Sequence, residues 1–515
     1  MVGSNKISPC LFAALGAASS YYCFSLIRGK GPFFILGLCT GFIFIISVFR
    51  ALNSLGEFAG KGGYLLRKSG LLFLSFTAGF FLGLGAGAAE PGLPRFGLPP
   101  EKITGLYGTL YEDPRFLNDS RGMGSLLVSG VSGDGGIRAF SRPPGGEGES
   151  WFPGFRWAGS PLPVFFPQEL MPALKDFGRG SEIYTGGVLV RGERGPLFRA
   201  QSVAVLKPPP KAEGFRTGFR TELLKKTDSP VWGGLAQALL LGVRDNLDTK
   251  LSRDFRDAGC SHILALSGMH LAVFSALIAL LLRKPLGIRL AALGGAVFVI
   301  LYVYLAGAQP SLVRSAIMYL LGCLAIWGSF KTSTMTLLAL SFLLQILCFR
   351  GSASSPSFIL SYLALGGILW TGESLNELFR GKLPRPLASG LSASLGAFIA
   401  TAAVSLSLFG MLRPIGILAG LAIAPLASFF MILSLAGLAS AFFAPPLFTL
   451  LDGALSLLYR LLEGIISLAA SFPGIETKNP SGALPALLLS LFAAGLICFF
   501  EARLLRKRKE LAPFD

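Results

Sequence analysis

Charge is scarce in this chain. Only 14% of its 515 residues are Asp, Glu, Lys or Arg, against about a quarter in an ordinary soluble domain. Histidine is scarcer, with two residues and none beyond position 270. So apolar a composition excludes a disordered chain, collagen and a coiled coil. Seven cysteines in this length are too sparse for a disulfide scaffold, and none lies between positions 40 and 259. The polar middle of the chain therefore holds no disulfide of its own. There is no CxxC pair, hence no zinc-ribbon spacing. No GxxxxGK[ST] phosphate loop occurs either, so the sequence shows no motor. No cofactor is expected.

What is present is hydrophobic length. Apolar runs of the ~20 residues needed to cross a bilayer recur along the chain. Three open it, at about Leu11–Ile27, Phe33–Phe49 and Gly70–Ala88. Nine more follow: His262–Leu282, Leu290–Leu305, Leu312–Trp327, Thr334–Cys348, Phe358–Trp370, Leu387–Phe409, Ile415–Ala444, Leu447–Phe472 and Leu484–Phe500. The run from Ile415 reads as two segments broken at Pro425 or as one kinked helix. The fold class expected is a polytopic α-helical membrane protein with about 11–13 transmembrane helices.

The net charge is +18, and its placement is uneven. Residues 90–257 carry 22 Lys/Arg against 19 Asp/Glu, while the rest of the chain carries 24 against 9. The excess sits in short segments between apolar runs, as the positive-inside rule and anionic lipid head groups require. Arg50, Lys61, Arg67 and Lys68 face only Glu57 in the second inter-run loop. That loop reads as cytoplasmic, which places the segment after Ala88 outside. The tail from Arg503 to Lys509 reads as cytoplasmic too.

Between about Glu90 and Lys207 the long runs stop. Alternating segments read as short strands at Ile103–Tyr111, Gly124–Val131, Gly136–Phe140, Glu182–Arg191 and Phe198–Leu206, a small β-barrel or sandwich. Arg142–Pro167, rich in Gly, Pro and Trp, reads as a loop. Pro208-Pro209-Pro210-Lys211 is a stiff linker. Residues 212–257 carry helical spacing, read equally as helices on the membrane surface or as a packed connector.

Two stretches hold the candidate chemistry. In Cys260–Leu271 the two histidines, His262 and His270, lie eight residues apart, so an unbroken helix presents both on one side. Ser267-Gly268 between them favours a break or a close helix approach. The pair reads either as hydrogen-bonded packing residues or as groups lining a path or gate. Cys260 would complete a metal-ligand set, but without a recognised spacing. Ser267 lacks a nucleophile elbow. In Ala306–Met318, Gln309-Pro310 signals a turn and Ser311 a helix cap, which puts Arg314 at the third helical position. A cation there opposes the helix dipole, so a structural partner or a bound anion should offset it. A third stretch, Leu408–Leu426, has Gly and Pro interrupting apolar runs and reads first as helix packing. Asp452, Arg460 and Glu463 read as an interfacial polar face.

Taken in order, these segments resemble the ComEC family of competence proteins. Ala238–Arg244, Ala258–His270, Ala306–Met318, Phe358–Ala364 and Phe409–Leu426 carry the likeness, with matching order and spacing from about residue 232 to 445. Ser181–Val190 resembles, less specifically, part of the family's extracytoplasmic OB-like domain. The resemblance implies a multi-pass protein of the cytoplasmic (inner) membrane that conducts single-stranded DNA during natural transformation. It implies a path or gate lined by His262, Ser267, Gly268, His270, Gln309, Ser311 and Arg314. Its division is 1–89 N-terminal transmembrane helices, 90–210 an inserted all-β OB-like domain, 211–257 an amphipathic connector, 258–502 the transmembrane core and 503–515 a basic tail. Many members end in a metallo-β-lactamase-like domain, whose His/Asp metal cluster has no counterpart here, so no enzymatic activity is carried over. The expected partners are single-stranded DNA, membrane lipids, a DNA receptor, a cytoplasmic motor and a separate nuclease, with a homo-oligomer left open. The alternative is a transporter or channel for another anionic solute or lipid.

Overall fold

The structure is a computed structural model. It describes residues 9–27, 100–118, 121–133, 136–139, 161–170, 178–192, 195–227, 231–349, 352–379, 381–443 and 445–477, with a few isolated positions besides. Of the expected spans, Phe33–Phe49 and Leu484–Phe500 lie outside the described residues, and so does nearly all of Gly70–Ala88. The basic loop at 50–68 and the basic tail lie outside them as well.

The polar middle forms a closed barrel. Its strands are β1 (Ile103–Leu110), β2 (Arg115–Asn118), β3 (Arg121–Gly133), β4 (Gly136–Ala139), β5 (Leu162–Pro167), β6 (Glu182–Gly192) and β7 (Gly195–Lys207). Five of them pair in a ring, β1-β6-β7-β5-β3 and back to β1. All pairings in the ring are antiparallel except β5 with β7. That is the Greek-key order of an OB barrel. Leu106, Leu110, Leu126, Val164, Ile183 and Phe198 point inward at alternate positions and fill it.

β5 corrects the sequence reading, which placed Leu162–Pro167 in a loop. Its prolines at 163 and 167 cannot donate to a ladder, which ordinarily argues against a strand. The strand forms because it fills the gap between β3 and β7, and its Leu162, Val164 and Phe166 are buried at alternate positions.

The remainder is helical: α1 (Pro9–Ile27), α2 (Lys211–Lys226), α3 (Gly233–Leu241), α4 (Thr249–Asp257), α5 (Ser261–Leu264), α6 (Gly268–Ala306), α7 (Pro310–Trp327), α8 (Thr334–Cys348), α9 (Pro356–Gly367), α10 (Glu373–Phe379), α11 (Arg385–Phe409), α12 (Gly416–Phe443) and α13 (Pro445–Ala470). A π-helical stretch, Ile368–Gly372, joins α9 to α10. Among the described residues five helices are long and apolar enough to cross a membrane, within α6, α7, α11, α12 and α13. With the inserted barrel, this is a polytopic membrane protein.

α6 is two limbs. Gly287 has φ 75° and ψ 170°, outside any helix. Phe274 meets Phe298 and Tyr302 across it, with ring centroids 6.1 and 5.1 Å apart. The limbs therefore run antiparallel, each about 28 Å long at 1.5 Å per residue. The hairpin continues: Cys323 donates to the Ala292 carbonyl, and Gln345 to that of Pro310. α12 passes through Pro425 as one helix, so the run from Ile415 is not divided there.

The connector folds inward. Every residue of α3 except Gly234 is buried. Trp232, just before it, is fully buried, lies edge-on to Phe430 and tilted against Phe448, and donates to Asp452 at 2.8 Å. Asp452 thus serves an internal contact rather than an interfacial polar face.

Candidate functional site

Two helix starts meet at one end of the bundle. α5 ends at Leu264, Ala265 is extended, and α6 begins at Gly268 with Ser267 as its N-cap. The helix through both histidines is therefore broken. His262 lies on α5 and is exposed, while His270 lies on α6 and is fully buried. They do not share a face. Among the described residues no group of His, Cys, Asp or Glu could hold a metal ion, so Cys260, His262 and His270 do not converge.

Ser267 and His270 form a reciprocal cap. The Ser267 side chain accepts from the His270 backbone, and His270 Nδ1 accepts from the Ser267 N–H at 3.2 Å. This follows the capping-box pattern, with an imidazole in place of the usual Glu or Gln. Accepting at Nδ1 leaves that nitrogen unprotonated, so the ring proton sits on Nε2. His270 Nε2 is buried and has no hydrogen-bond partner.

α7 starts two residues earlier than its sequence suggests. Gln309 is the N-cap and Pro310 the first helical residue. Ser311 is therefore inside the helix, where its hydroxyl donates to the Leu266 carbonyl at 2.6 Å and ties α7 to the break. Arg314 becomes the fifth helical residue rather than the third. It is about 6 Å along the axis, past the N–H groups that would repel it most. Gln309 lies beside Gly242, at the end of α3.

Arg314 is 6% exposed. Its Nη2 donates to Ser315 Oγ at 3.2 Å, and the guanidinium carbon lies 5.8 Å from the centre of the Tyr362 ring. Its Nε and Nη1 have no hydrogen-bond partner. Gly268 packs directly on this group. A Cβ there would sit 2.8 Å from Ser315 Oγ and 3.1 Å from Arg314 Nη2. Tyr362 is held in turn, its hydroxyl 3.0 Å from Gln345 Oε1 and 3.2 Å from Ser341 Oγ.

The structure thus brings together Ser267, Gly268, His270, Ser311 and Arg314. It leaves His262 apart and Gln309 at the margin. It adds Tyr362, Ser315 and Gln345, which lie on other helices or were masked by a stronger neighbour in sequence.

The site's chemistry is one-sided. Its orphaned groups are all donors: His270 Nε2–H, Arg314 Nε–H and Arg314 Nη1–H₂. One of the two side chains carries a full positive charge, and among the described residues no carboxylate pairs with it. Buried donors left unmade are expensive, and a buried charge more so. The partner that satisfies such a set is an acceptor-rich anion.

Beside the site, Arg413 closes the turn that leads to His262. It bonds Asp257 at 3.2 Å and Glu476 at 2.9 Å. Gly259, at φ 72°, lies under Arg413 and against Gly416, so close that a Cβ on it would come within 3.0 Å of Arg413.

Comparison with known proteins places these residues in context. A family model described as "Competence protein" matches residues 239–503. An uncharacterized protein of Aquifex aeolicus (strain VF5) is 25% identical over 309 residues, which cover 60% of this chain and 71% of that protein. ComE operon protein 3 of Bacillus subtilis (strain 168) is 28% identical over 186 residues, 35% of this chain and 24% of that protein. The uncharacterized protein YcaI of Escherichia coli (strain K12) is 28% identical over 110 residues, 20% and 14% of the two. No solved structure matches. The matched model spans more than half of the chain and includes the break at Ser267-Gly268, the α7 start and Tyr362, so the chain belongs to the competence protein family.

Proposed function

We propose that this protein conducts single-stranded DNA through a membrane during natural transformation. The observation that carries the reading is the buried, donor-only set at Arg314 and His270. A phosphodiester is an anion that offers acceptors on every residue, and it would satisfy these donors in passing. Helix starts favour phosphate for the same reason. Gly268 would let the strand's backbone come close, and His270 would shape the path.

The orientation follows from charge. The chain reverses at 287, between α7 and α8, and before α11, all at one end of the bundle. Those turns carry Arg283, Lys284, Arg289, Lys331, Lys382 and Arg385. The opposite turns, which hold the site, carry by sequence Arg350 and Arg413, and Arg413 is paired with two acids. By the positive-inside rule the first end is cytoplasmic. The site and the β-barrel then lie on the outer side of the cytoplasmic membrane, and the strand enters there. A receptor, a motor and a nuclease are supplied by other proteins, and this chain performs no catalysis.

The test is uptake of labelled DNA into a nuclease-protected cytoplasmic pool. Intact, deletion, Arg314→Ala and His270→Ala strains are compared at matched membrane levels. The reading expects deletion and both variants to lose the protected pool. Loss on deletion alone keeps the conduit but removes the site assignment. Unchanged uptake after deletion, in a strain shown to be competent, overturns the DNA role in favour of another anionic solute.

A further inference from the structure

The helix α2 presents an apolar face that nothing among the described residues covers. Phe215 is 75% exposed and Phe219 47%, and their rings stack at 6.4 Å with 10° between planes. They stand at i and i+4, so they share one side of the helix. Ala212 and Gly218 are exposed around them, and Lys211, Lys225 and Lys226 are exposed at the two ends, where Lys225 binds the exposed Glu222 at 3.1 Å. The opposite side is fastened down: Arg216 and Leu223 are buried.

Where this face lies is given by a neighbour. On the second limb of α6, Leu293, Val297, Ile300 and Leu301 are exposed at helical spacing. That limb is part of a membrane-crossing hairpin, and among the described residues nothing buries the stripe, so it suits contact with lipid. Tyr304 is the last large residue of the same stripe and is also exposed. Its side chain is within electrostatic reach of Glu213 and Arg216 on α2. So α2 begins where the lipid-facing stripe meets the interface, the depth at which tyrosine is favoured.

We infer that α2 is an interfacial helix whose Phe215 and Phe219 insert among the lipids of the bilayer the protein spans, with Lys211, Lys225 and Lys226 at the head groups. The pattern is that of an amphipathic helix lying at an interface, with an apolar centre and basic ends whose stems reach back to the phosphates. The other candidate for two stacked aromatics is a nucleic-acid base platform. The electrostatics disfavour it. The cations next to the rings, Arg216 and Arg220, are both engaged by Asp113 at 2.6 and 2.9 Å. The arginines beside the rings are thus neutralised and the lysines stand only at the helix ends, which suits rings inserted in lipid below the head groups better than bases stacked along a phosphate backbone.

The experiment places a tryptophan at each position of the full-length protein, as Phe215→Trp and Phe219→Trp. The proteins are reconstituted in vesicles of phosphatidylcholine with phosphatidylglycerol, with and without bromine near the top of the acyl chains. The emission added over the wild-type protein, which has five tryptophans of its own, is followed. The inference expects that added emission to be at least halved by brominated lipid and to resist aqueous iodide. Quenching by iodide with no effect of bromine overturns it. Loss or shift of the added emission on titrating oligothymidylate, without a bromine effect, overturns it in favour of the base platform. Both substitutions keep an aromatic on an exposed face, so the fold is retained.

Discussion

At the scale of single residues, Arg314 sets a contest between stability and use. Tyr362 offers it a cation–π contact of about 1 kcal/mol, and Ser315 one hydrogen bond. Neither offsets the burial of a whole charge with no carboxylate partner. Arg314→Met should therefore raise stability, by about 1–4 kcal/mol by analogy with buried charged groups replaced by apolar ones. It should abolish uptake at the same time. Thermal unfolding in detergent, with and without inorganic phosphate, reads the first part. Phosphate should stabilise the wild-type protein and leave the Met variant unmoved. A destabilised Met variant would mean that the guanidinium is a structural fixture. A gentler probe is Gly268→Ala, whose methyl would press on Ser315 and the guanidinium. Uptake should fall while Arg314 stays in place, and Ser315→Ala in the same chain should restore part of it. Much of this site could be read from the chain. A serine-glycine pair beside a histidine and an arginine after Gln-Pro were visible because each is costly in an apolar run. Tyr362 lies in Phe358–Ala364, a stretch read only for its likeness; its contact with Arg314 was not legible, since it reaches from a helix 48 positions later and no local pattern announces it. The cap was misplaced because Ser311 is the better cap by side chain, yet Pro310 ahead of it already has the backbone of a first helical residue.

At the scale of elements, the apolar runs that fall on described residues translate directly into helices, and their reversals are set by backbone rather than by packing. Gly287 shows this. Nothing lies within 4 Å of a Cβ built there, so a substitution meets no steric obstacle. Its φ of 75° with ψ of 170° is nonetheless a conformation reserved for glycine, worth about 1–3 kcal/mol in strain to any other residue. Gly322, inside α7, also has open space, but its backbone is helical. The same change should then have opposite signs. Gly287→Ala is expected to destabilise the hairpin by about 1–3 kcal/mol, whereas Gly322→Ala should be neutral or stabilise by up to about 1 kcal/mol. Thermal unfolding of the two variants in one detergent decides it, and equal effects would refute the claim that Gly287 is chosen for its φ. Elements defined by long runs were readable for the same reason that they are stable: one periodicity over many residues. β5 was not, because its identity comes from its two neighbours and its own residues argue against a strand. β2, at Arg115–Asn118, is too short to carry a pattern at all.

At the scale of the whole molecule, the question is what holds a soluble barrel at a fixed place on a membrane bundle. The sequence shows a triple proline and little more. The structure shows a charge network centred on Asp113, in the turn between β1 and β2. It accepts from Arg216 and Arg220 on α2, and from the Arg179 N–H at 2.8 Å. Arg216, 2% exposed in its side chain, also binds Glu213 at 2.8 Å. Burial alone would raise the Asp113 carboxyl, but the two guanidiniums and the backbone N–H outweigh it and hold it below the ordinary carboxylate range. Burial likewise works against the Arg216 charge, and Asp113 and then Glu213 reverse that. Both partners shift in the direction that favours the ion pair. Removing Asp113 takes one of two carboxylates from the buried Arg216, a loss of at most the about 3–5 kcal/mol that breaking a buried pair costs. Asp113→Ala should therefore release the barrel from α2 without unfolding either. In hydrogen exchange on the full-length protein in vesicles, residues 211–226 and the β1–β2 turn should lose protection, while the α6 hairpin should not. Because the folded carboxyl titrates below its unfolded value of about 3.9, the link is complete at any pH above that and fails as the pH falls through the lower, folded value. Wild-type protection, corrected for intrinsic exchange, should thus stay flat from neutrality to about pH 5 and drop only under stronger acid. In the Ala variant that acid drop should be absent. If α2 instead exchanges identically in both proteins, the barrel is held by something other than this network. If the drop appears near neutrality, a group other than Asp113 governs the contact.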